Sequence, residues 1–347
     1  MTRTNRQKPA FETPKIALFL AIMVLFLSAA NAQSEGQYTH FMFNRLSYNP
    51  AYAGSSGDIS LTALYRNQWL GLQLQAPTTG GDAGSTPKNI MFSFDMPVSW
   101  LHGGVGFVLN SEQVGYWENL DINLDYAFRI FWGPGNLAAA IEVNLNNLKL
   151  NTGELYGPDD LPGDPYGSVS ASNDPLIDGR ATSDFLFDLS TGLYYQMPGK
   201  WYVSLSAKNL LGSRSEAFNF SNNRIFYLMG GYDYHFPYNP SFTLKPSILV
   251  KTSNFSIFQA DFACLLDYEN IFWAGLSYRW GDAFNLLAGV NFLKYMQVGV
   301  AYDLTTSRMG FGNGRSVGSV ELYLNGSFQI HVPKKPPTVS GNTIMLR

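Results

Sequence analysis

Charged residues are scarce in this chain. Asp, Glu, Lys and Arg make up only 14% of its 347 residues, whereas soluble domains average about 25%. The formal net charge is −3, and no basic patch appears past the N-terminus. A nucleic acid is therefore not expected as a partner, because such partners require clustered Lys and Arg.

Disulfides, spanning helices and metal motifs are also missing. Cys264 is the only cysteine, so no internal disulfide can form. Past the N-terminus no apolar run reaches the roughly 18 residues of a membrane-spanning helix. The four histidines lack the spacing of metal ligands. We therefore predict a non-enzymatic protein without metal or cofactor. A barrel enzyme such as a lipid hydrolase is a competing hypothesis, and it requires a nucleophile–base pair within reach.

The N-terminus has the three parts of a secretory signal peptide. Four basic residues precede Ile16, and Ile16–Leu27 is continuously apolar. Ala30-Asn31-Ala32 then forms an A-x-A cleavage site. We predict a signal peptide over 1–32, cleaved after Ala32. The alternative is a membrane-anchoring helix, for which the apolar run is too short.

Period-two alternation runs through the remaining chain. It is clearest in Leu120–Ile130, where six apolar residues share one face and polar residues share the other. Several such segments reach about ten residues, the length that a tilted strand needs to cross a membrane. We predict strands at 58–70, 88–98, 103–113, 118–131, 136–150, 183–197, 200–211, 222–236, 241–252, 255–267, 270–280, 283–292, 294–306 and 317–331.

Two all-β architectures could use these strands. A soluble sandwich would bury the apolar faces in a core, whereas a membrane barrel would turn them to lipid. The strand lengths and the signal peptide favour the barrel. Aromatic residues collect at bilayer interfaces, and six of the seven tryptophans fall at or near predicted strand ends. These are Trp69, Trp100, Trp117, Trp132, Trp201 and Trp280. We therefore predict a transmembrane antiparallel β-barrel of about fourteen strands in the outer membrane of a Gram-negative bacterium.

The connections predict an orientation. Every second connection is short and often carries Pro or Gly, while the other set includes the three longest loops, 71–87, 151–182 and 307–316. Barrels have short periplasmic turns and longer outside loops, so the first strand is expected to run outward. The predicted organisation is a signal peptide at 1–32, a periplasmic or plug segment at 33–57, a barrel at 58–331 and a disordered periplasmic tail at 332–347.

Three features of the barrel leave alternatives open. Asp159, Asp160 and Asp164 suggest a calcium loop, but their spacing lacks the calcium-loop pattern, which favours a solvated loop. Pro246 removes a ladder donor inside a strand, so we expect a bulge there. Four charged residues are predicted to face the lumen, either as a selectivity lining or, as we favour, as a wall of mutually paired charges. They are Asp121, Asp125, Arg129 and Glu142.

Two stretches near the mature N-terminus carry a specific pattern. Phe41–Gly54 reads FMFNRLSYNPAYAG, and Tyr65–Gly71 reads YRNQWLG. Together with Ala76–Thr79 and the glycine-spaced strand at Gly104, Gly106 and Gly115, they resemble the PorP/SprF family of outer-membrane proteins of the type IX secretion system. Arg45 departs from the family pattern, because proline is frequent at that position. The tail beyond Ile330 is also longer than the family's strand-terminated end.

The resemblance implies a non-enzymatic component of protein export and, in some members, of gliding motility. The implied partners are outer-membrane lipid, the periplasmic ring components of the secretion system and adhesin cargo with C-terminal secretion domains. An outer-membrane channel for small solutes is the alternative function. The first stretch is expected at the periplasmic mouth or in the lumen, where plugging the barrel and docking a partner are both open. The candidate residues are Tyr38, Phe41, Phe43, Asn44, Asn49, Pro50, Tyr52, Gly54, Tyr65, Arg66, Gln68 and Trp69.

Overall fold

The computed structural model describes residues 36–71, 86–150, 182–293, 295–307 and 316–329. Fourteen antiparallel strands form one closed sheet. Their bounds are β1 (Ile59–Leu70), β2 (Lys88–Val98), β3 (Gly103–Val114), β4 (Trp117–Trp132), β5 (Gly135–Leu150), β6 (Thr182–Met197), β7 (Trp201–Lys208), β8 (Ile225–Tyr232), β9 (Phe242–Ser253), β10 (Ile257–Tyr268), β11 (Phe272–Arg279), β12 (Ala283–Phe292), β13 (Met296–Thr305) and β14 (Gly318–Phe328).

The sheet closes because β14 pairs with β1, with Glu321 opposite Arg66. Closure removes the free edges of this sheet. The predicted barrel of about fourteen strands is confirmed. The largest boundary differences flank a small hairpin, in which Arg214–Ser215 pairs with Phe220–Ser221 between β7 and β8. There β7 ends at Lys208, and Asn209 turns the chain with a positive φ of 56°.

The two ends of the barrel differ in their connections. We call the end where Ser99–His102 joins β2 to β3 the short-connection end, and the opposite end, where residues 71–87 separate β1 from β2, the long-connection end. β1 begins at the short-connection end, because Ser60 pairs with Asp95 near the end of β2. Odd-numbered strands therefore run toward the long-connection end.

The alternation predicted from the sequence sorts residues to two faces. In β4, Leu124 and Phe128 are 51% and 48% exposed on the outer face, whereas Asp125 is 5% exposed on the inner face. The same apolar-out, polar-in pattern recurs around the barrel and suits a lipid-facing surface. Cys264 lies on this outer face. Among the described residues, no helix is long and apolar enough to cross a membrane.

The bulge predicted at Pro246 is absent. β9 pairs with β10 without interruption, and Pro246 lies opposite Cys264. On its other side, β9 pairs with β8 through Gly231 and resumes at Tyr234 in unchanged register. The prediction was wrong because the lost donor falls where the β8 ladder is already interrupted. No extra residue is needed to accommodate the proline.

The hydrophobic core lies inside the barrel. It consists of aliphatic and aromatic side chains that point inward from the strands and of residues from the chain that precedes β1. The latter include Phe41, Leu46 and Ala51, each at most 2% exposed. We call residues 36–57 the N-terminal segment. A barrel of this size would otherwise enclose solvent, so the segment supplies the apolar partners for the inner wall.

Candidate functional site

The N-terminal segment contacts strands on every side of the barrel. Gln37 bonds Gln259 on β10 at 3.1 Å, and the Tyr38 hydroxyl donates to Asn110 on β3 at 2.5 Å. Farther along, Asn49 donates to Ser204 on β7 at 2.7 Å. Strands from opposite sides of a closed sheet thus hold one short stretch of chain. The segment lies across the lumen.

The segment also runs along the barrel axis. Gln37 lies beside Gln259 near the start of β10, at the long-connection end. Gly54 lies against the backbone of Pro97, where β2 reaches the short-connection end. The chain therefore descends through the lumen before it turns into β1. The path is folded, because Phe43 packs on Trp273 near the short-connection start of β11 and Tyr48 then packs on Tyr227 near the long-connection start of β8.

A buried ion network holds the first residues of the segment, toward the long-connection end. Arg66 on β1 contacts Asp303 on β13 at 2.7 Å and Glu321 on β14 at 3.1 Å. Glu321 accepts from the backbone N–H groups of Thr39 and His40 at 2.7 and 2.8 Å, and its Oε1 lies 2.7 Å from His40 Nδ1. All five residues are at most 1% exposed. The network links two strand carboxylates and one guanidinium to the segment's backbone.

A second arginine extends this network. Arg279 on β11 lies 3.4 Å from Asp261 on β10 and 3.4 Å from Asp303. The Thr39 hydroxyl lies 2.8 Å from Asp303 Oδ1. Buried charges are tolerated only when paired and hydrogen-bonded, and here the opposite charges come from five strands. The network fixes the height and rotation of the segment relative to the wall.

An aromatic cluster lies on the short-connection side of the ion network. The Phe43 ring packs on Trp273 at 4.8 Å and on Tyr323 at 5.2 Å, and His40 stacks on Tyr323 at 5.3 Å. The inner wall makes room for the Trp273 indole at Gly289, where a Cβ atom would overlap the ring. Offset and edge contacts at these distances add to area burial. Trp273, the one tryptophan outside the predicted interface set, serves this cluster.

Asn49 anchors the middle of the segment. Its Oδ1 accepts from Ala51 N at 2.8 Å, which caps the short 3-10 turn Pro50–Tyr52. Its Nδ2 donates to Leu193 O on β6 at 2.8 Å as well as to Ser204. Gly192 leaves the space for this amide, because a Cβ atom there would overlap it. The Asn49-Pro50 pair therefore sets a turn, and Asn49 also bridges two strands.

The segment leaves the lumen at Gly54. Its N–H donates to Asp95 at 2.8 Å, and its φ of 67° favours glycine. Arg129 on β4 donates to the carbonyls of Gly54 and Ala53, both at 2.7 Å. Arg129 thus clamps the exit of the segment.

The other three lumen charges have separate surroundings. Glu142 lies 3.5 Å from Lys208, and Asp121 accepts from Asn119 and Asn146. Asp125 lies opposite Glu142 in the β4–β5 register. With Arg129 bound to the segment, the four charges do not form one mutually paired wall.

Arg45 fills the position where the family pattern often has proline. Its guanidinium lies 4.0 Å from the Tyr202 ring centroid and 5.7 Å from that of Tyr52. Its Nε donates to Met42 O at 2.9 Å. Burial raises the pKa of Tyr52, so this hydroxyl is neutral. The arginine is held by cation–π contacts rather than by a carboxylate.

The structure brings most of the predicted residues together. Arg66 joins the segment, whereas Tyr65, its neighbour, is 38% exposed on the outer face. Gln68 and Trp69 lie at the long-connection end of β1, beside the register shift between Asn67 and Leu70. The residues that meet in the lumen are Tyr38, Phe41, Phe43, Asn44, Asn49, Pro50, Tyr52, Gly54 and Arg66.

The structure adds site residues that the sequence patterns did not single out. They are the ion partners Asp303, Glu321 and Arg279, whereas Arg129 was predicted to face the lumen but not to bind the segment. One signal could have found the first three: each is a charged residue on the polar phase of an alternating strand in a charge-poor chain.

Two features of the described residues bear on metal binding and on hydrolysis. No group of three or more His, Cys, Asp or Glu in that part of the chain could hold a metal ion. Residues 314–318 have Gly-x-Ser-x-Gly spacing, which in hydrolases lies between a strand and a helix. Here Ser316 is 4% exposed, donates to Gly318 O at 3.1 Å and precedes a strand. The calcium alternative at Asp159, Asp160 and Asp164 lies outside the described residues.

Three solved structures with similar folds are two toluene transporters and one outer membrane protein. The P. putida toluene transporter TodX is 11% identical, with 83% of this chain and 94% of that chain covered and a TM-score of 0.47. The Ralstonia pickettii toluene transporter TbuX is 11% identical, with 82% and 93% covered and a TM-score of 0.47. The Acinetobacter baumannii outer membrane protein Omp33 is 7% identical, with 78% and 99% covered and a TM-score of 0.42.

A family model carries more information than these likenesses. No curated protein matches the chain in sequence. The model described as type IX secretion system membrane protein PorP/SprF matches residues 30–325. That range includes both motif stretches and nearly the whole barrel. The resemblance predicted from those stretches is confirmed, and the chain belongs to the PorP/SprF family of type IX secretion system membrane proteins, with an outer-membrane β-barrel fold.

Proposed function

We propose that this protein is a non-enzymatic outer-membrane component of type IX secretion whose lumen is closed by its own N-terminal segment. In this proposal the short-connection end faces the periplasm and docks components of the periplasmic ring, in support of export or surface attachment of adhesin cargo and of gliding motility. The signal peptide 1–32, cleaved after Ala32, exports the chain. Family membership supports the secretion role, and the lumen contacts support the closure.

One observation carries the proposal: the segment bonds to strands on opposite sides of the lumen. Gln37 contacts β10, Asn49 contacts β6 and β7, and Gly54 contacts β2. A solute channel needs a continuous aqueous path, as porins have. A buried segment tied to the wall along most of the axis favours a closed barrel over the small-solute channel.

Open space at the short-connection end supports docking. A cavity of about 200 Å³ lies between the segment and the wall, with Phe43 and Arg45 on one side. A larger cavity of about 630 Å³ adjoins it and shares Gln297, Asn325 and Ser327. The shared residues are uncharged hydrogen-bond formers. Interfaces between proteins characteristically combine such groups with buried aromatic anchors.

A pull-down tests the docking. Gln297→Trp places an indole ring in the space at the wall that the two cavities share. The control, Val298→Trp, places the same ring one residue along, on the outer face, where Val298 is 38% exposed. The tagged full chain would be recovered from detergent-solubilised outer membrane. We expect wild type and Val298→Trp to retain periplasmic ring components and Gln297→Trp to lose most of them.

Two outcomes would contradict this assignment. Recovery of no ring component by the wild-type protein would remove the proposed partner. Equal recovery by both tryptophan variants would show that these cavities are not the docking site, although the secretion role would stand. Heat-modified gel mobility would confirm that each variant is folded.

A further inference from the structure

A separate cavity lies at the other end of the lumen. It has a volume of about 210 Å³ and lies between the N-terminal segment and the inner wall of β3, β4 and β5. Tyr38 and Tyr48 of the segment contribute aromatic rings, and Trp117 lies at the start of β4. It shares no lining residue with the two cavities at the short-connection end. We call it the amide cavity, because asparagines dominate its wall.

The asparagines form rows across neighbouring strands. Asn123 lies opposite Asn144, and Asn110 lies opposite Asp121, which in turn lies opposite Asn146. Neighbouring strands are about 4.8 Å apart, so the rows present polar groups at a regular spacing. Each carboxamide offers both donors and acceptors. A ligand rich in hydroxyl groups can use both kinds.

Part of this hydrogen-bonding capacity is unused. Asn144 Nδ2 donates to Asn123 Oδ1, and Asn110 Oδ1 accepts from the Tyr38 hydroxyl at 2.5 Å. Within the described part of the chain, Asn123 Nδ2, Asn144 Oδ1 and Asn110 Nδ2 have no side-chain partner. These groups line the cavity and are positioned by the bonds that their other amide atoms already make.

The charge of the lining selects among ligands. Among the described lining residues, Glu112 and Asp121 contribute two carboxylates and Lys208 contributes one ammonium. Lys208 also lies 3.5 Å from Glu142 and donates to Ser47 O at 2.8 Å. An anion such as a phosphate or a uronic acid would meet the net negative charge of these described residues and a lysine that is already engaged. A neutral polyol meets neither penalty, and its hydroxyls can donate to Asp121.

The backbone argues against an extended peptide. Peptides that bind to sheets add a strand to a free edge, but β3, β4 and β5 are paired on both sides along the cavity. Only side chains are available for recognition. Rings such as Trp117 and Tyr48 can cover the apolar face of a sugar while the amides bond its edge. We infer that the amide cavity binds a neutral saccharide.

The size sets how much saccharide enters. The cavity of about 210 Å³ is smaller than the roughly 300–1,000 Å³ of pockets for drug-sized ligands. A single sugar ring, free or at the end of a longer glycan, suits this volume. In the proposed orientation the amide cavity lies toward the cell exterior.

Calorimetric titration of the full chain tests the inference. The detergent must be an amine oxide, because a maltoside or glucoside headgroup would compete. The probes are glucose, galactose, mannose and N-acetylglucosamine, with glucuronate as the charged counterpart. We expect saturable binding of at least one neutral sugar and at least fivefold weaker binding of glucuronate. Asn144→Ala should weaken the neutral sugar about three- to tenfold, the effect of one lost hydrogen bond.

The matched control is Asn291→Ala, which removes an amide at the short-connection end and should leave binding unchanged. If Asn144→Ala does not fold by heat-modified gel mobility, Trp117→Leu replaces it and should weaken binding similarly. The inference is overturned by the absence of saturable binding to every neutral sugar, or by equal binding to wild type and the cavity variants. Binding of pentaglycine in place of the sugars would assign the cavity to a peptide and would also overturn it.

Discussion

Arg66 Nη1 donates a hydrogen bond of 3.0 Å to Thr39 Oγ1. The two residues belong to different stretches, since Arg66 is part of Tyr65–Gly71 and Thr39 lies two residues before Phe41–Gly54. The same guanidinium contacts Asp303 and Glu321, both of which also bond Thr39. Through this contact, Arg66 on the first strand positions the N-terminal segment in the lumen.

Removing this arginine should destabilise the protein strongly. In Arg66→Met, the carboxylates of Asp303 and Glu321 lose a partner in a site that is at most 2% exposed. Breaking a buried ion pair from one side typically costs about 3–5 kcal/mol. We expect a lower midpoint of thermal unfolding, measured by heat-modified gel mobility in detergent.

Lys149→Met provides the matched control for Arg66→Met. Lys149 pairs with Glu118 at 3.1 Å, but both side chains are about 40% exposed. Exposed pairs contribute about 0–1 kcal/mol, so the midpoint should hardly change. A similar loss of thermal stability in both variants would show that the buried network stabilises the protein no more than an exposed ion pair does.

The barrel could be predicted from the sequence because the evidence for each strand lies within that strand. Alternation over ten or more residues is a property of each strand alone, and β2 was predicted with the bounds that the structure has, 88–98. The aromatic lead-in before β1 was also recognisable, since Asn49-Pro50 and Gly54 are turn formers in a short stretch.

The interior of the site was not predictable in the same way. Thr39 and Asp303 are separated by 264 positions, and His40 and Glu321 by 281. No periodicity connects residues at such distances. The path of the segment along the axis depends on these pairs, and so it could not be read from the pattern of Phe41–Gly54. The bulge expected at Pro246 failed for a related reason, because the gap in the β8 ladder is a property of the neighbouring strand.

A single methyl group at Gly192 should dislodge the middle of the segment. The Cβ of Gly192→Ala would overlap the Asn49 amide, which bonds Leu193 O and Ser204 Oγ. We expect chymotrypsin to cleave the variant at Phe41, Phe43 or Tyr48, residues that are protected in the wild type by burial. Gly230→Ala is the control, because the nearest atom to its Cβ lies at an ordinary 3.6 Å. Equal resistance of both variants would contradict the proposed fit.

Replacing one lumen carboxylate should stabilise the barrel. Asp125 and Glu142 lie opposite each other on β4 and β5 at 5% and 1% exposure, and like charges in that arrangement repel. Glu142 contacts Lys208 only at 3.5 Å, and neither carboxylate accepts a shorter hydrogen bond from a described residue. Asp125→Asn keeps the shape and can donate to Glu142, so we expect a gain of about 1 kcal/mol in the same thermal assay.

Asp121→Asn separates this effect from a general loss of charge. Asp121 accepts from Asn119 at 3.1 Å and from Asn146, so its replacement removes an acceptor that is in use. We expect no gain, or a small loss, in thermal stability. If both variants were stabilised equally, net charge rather than the Asp125–Glu142 contact would be the cause.

Closure of the lumen can be tested by conductance in planar bilayers. The wild-type barrel should be nearly silent, because the segment lies across the lumen and is bonded to β2, β6, β7 and β10. Deletion of 37–54 removes the aromatic filling and the exit clamp to Arg129, so stable ohmic steps should appear. Deletion of the predicted tail 332–347, which removes a similar number of residues, should leave the barrel silent. Stable conductance of the wild type would favour the solute channel instead. It would show that the contacts between the segment and the wall do not close the lumen.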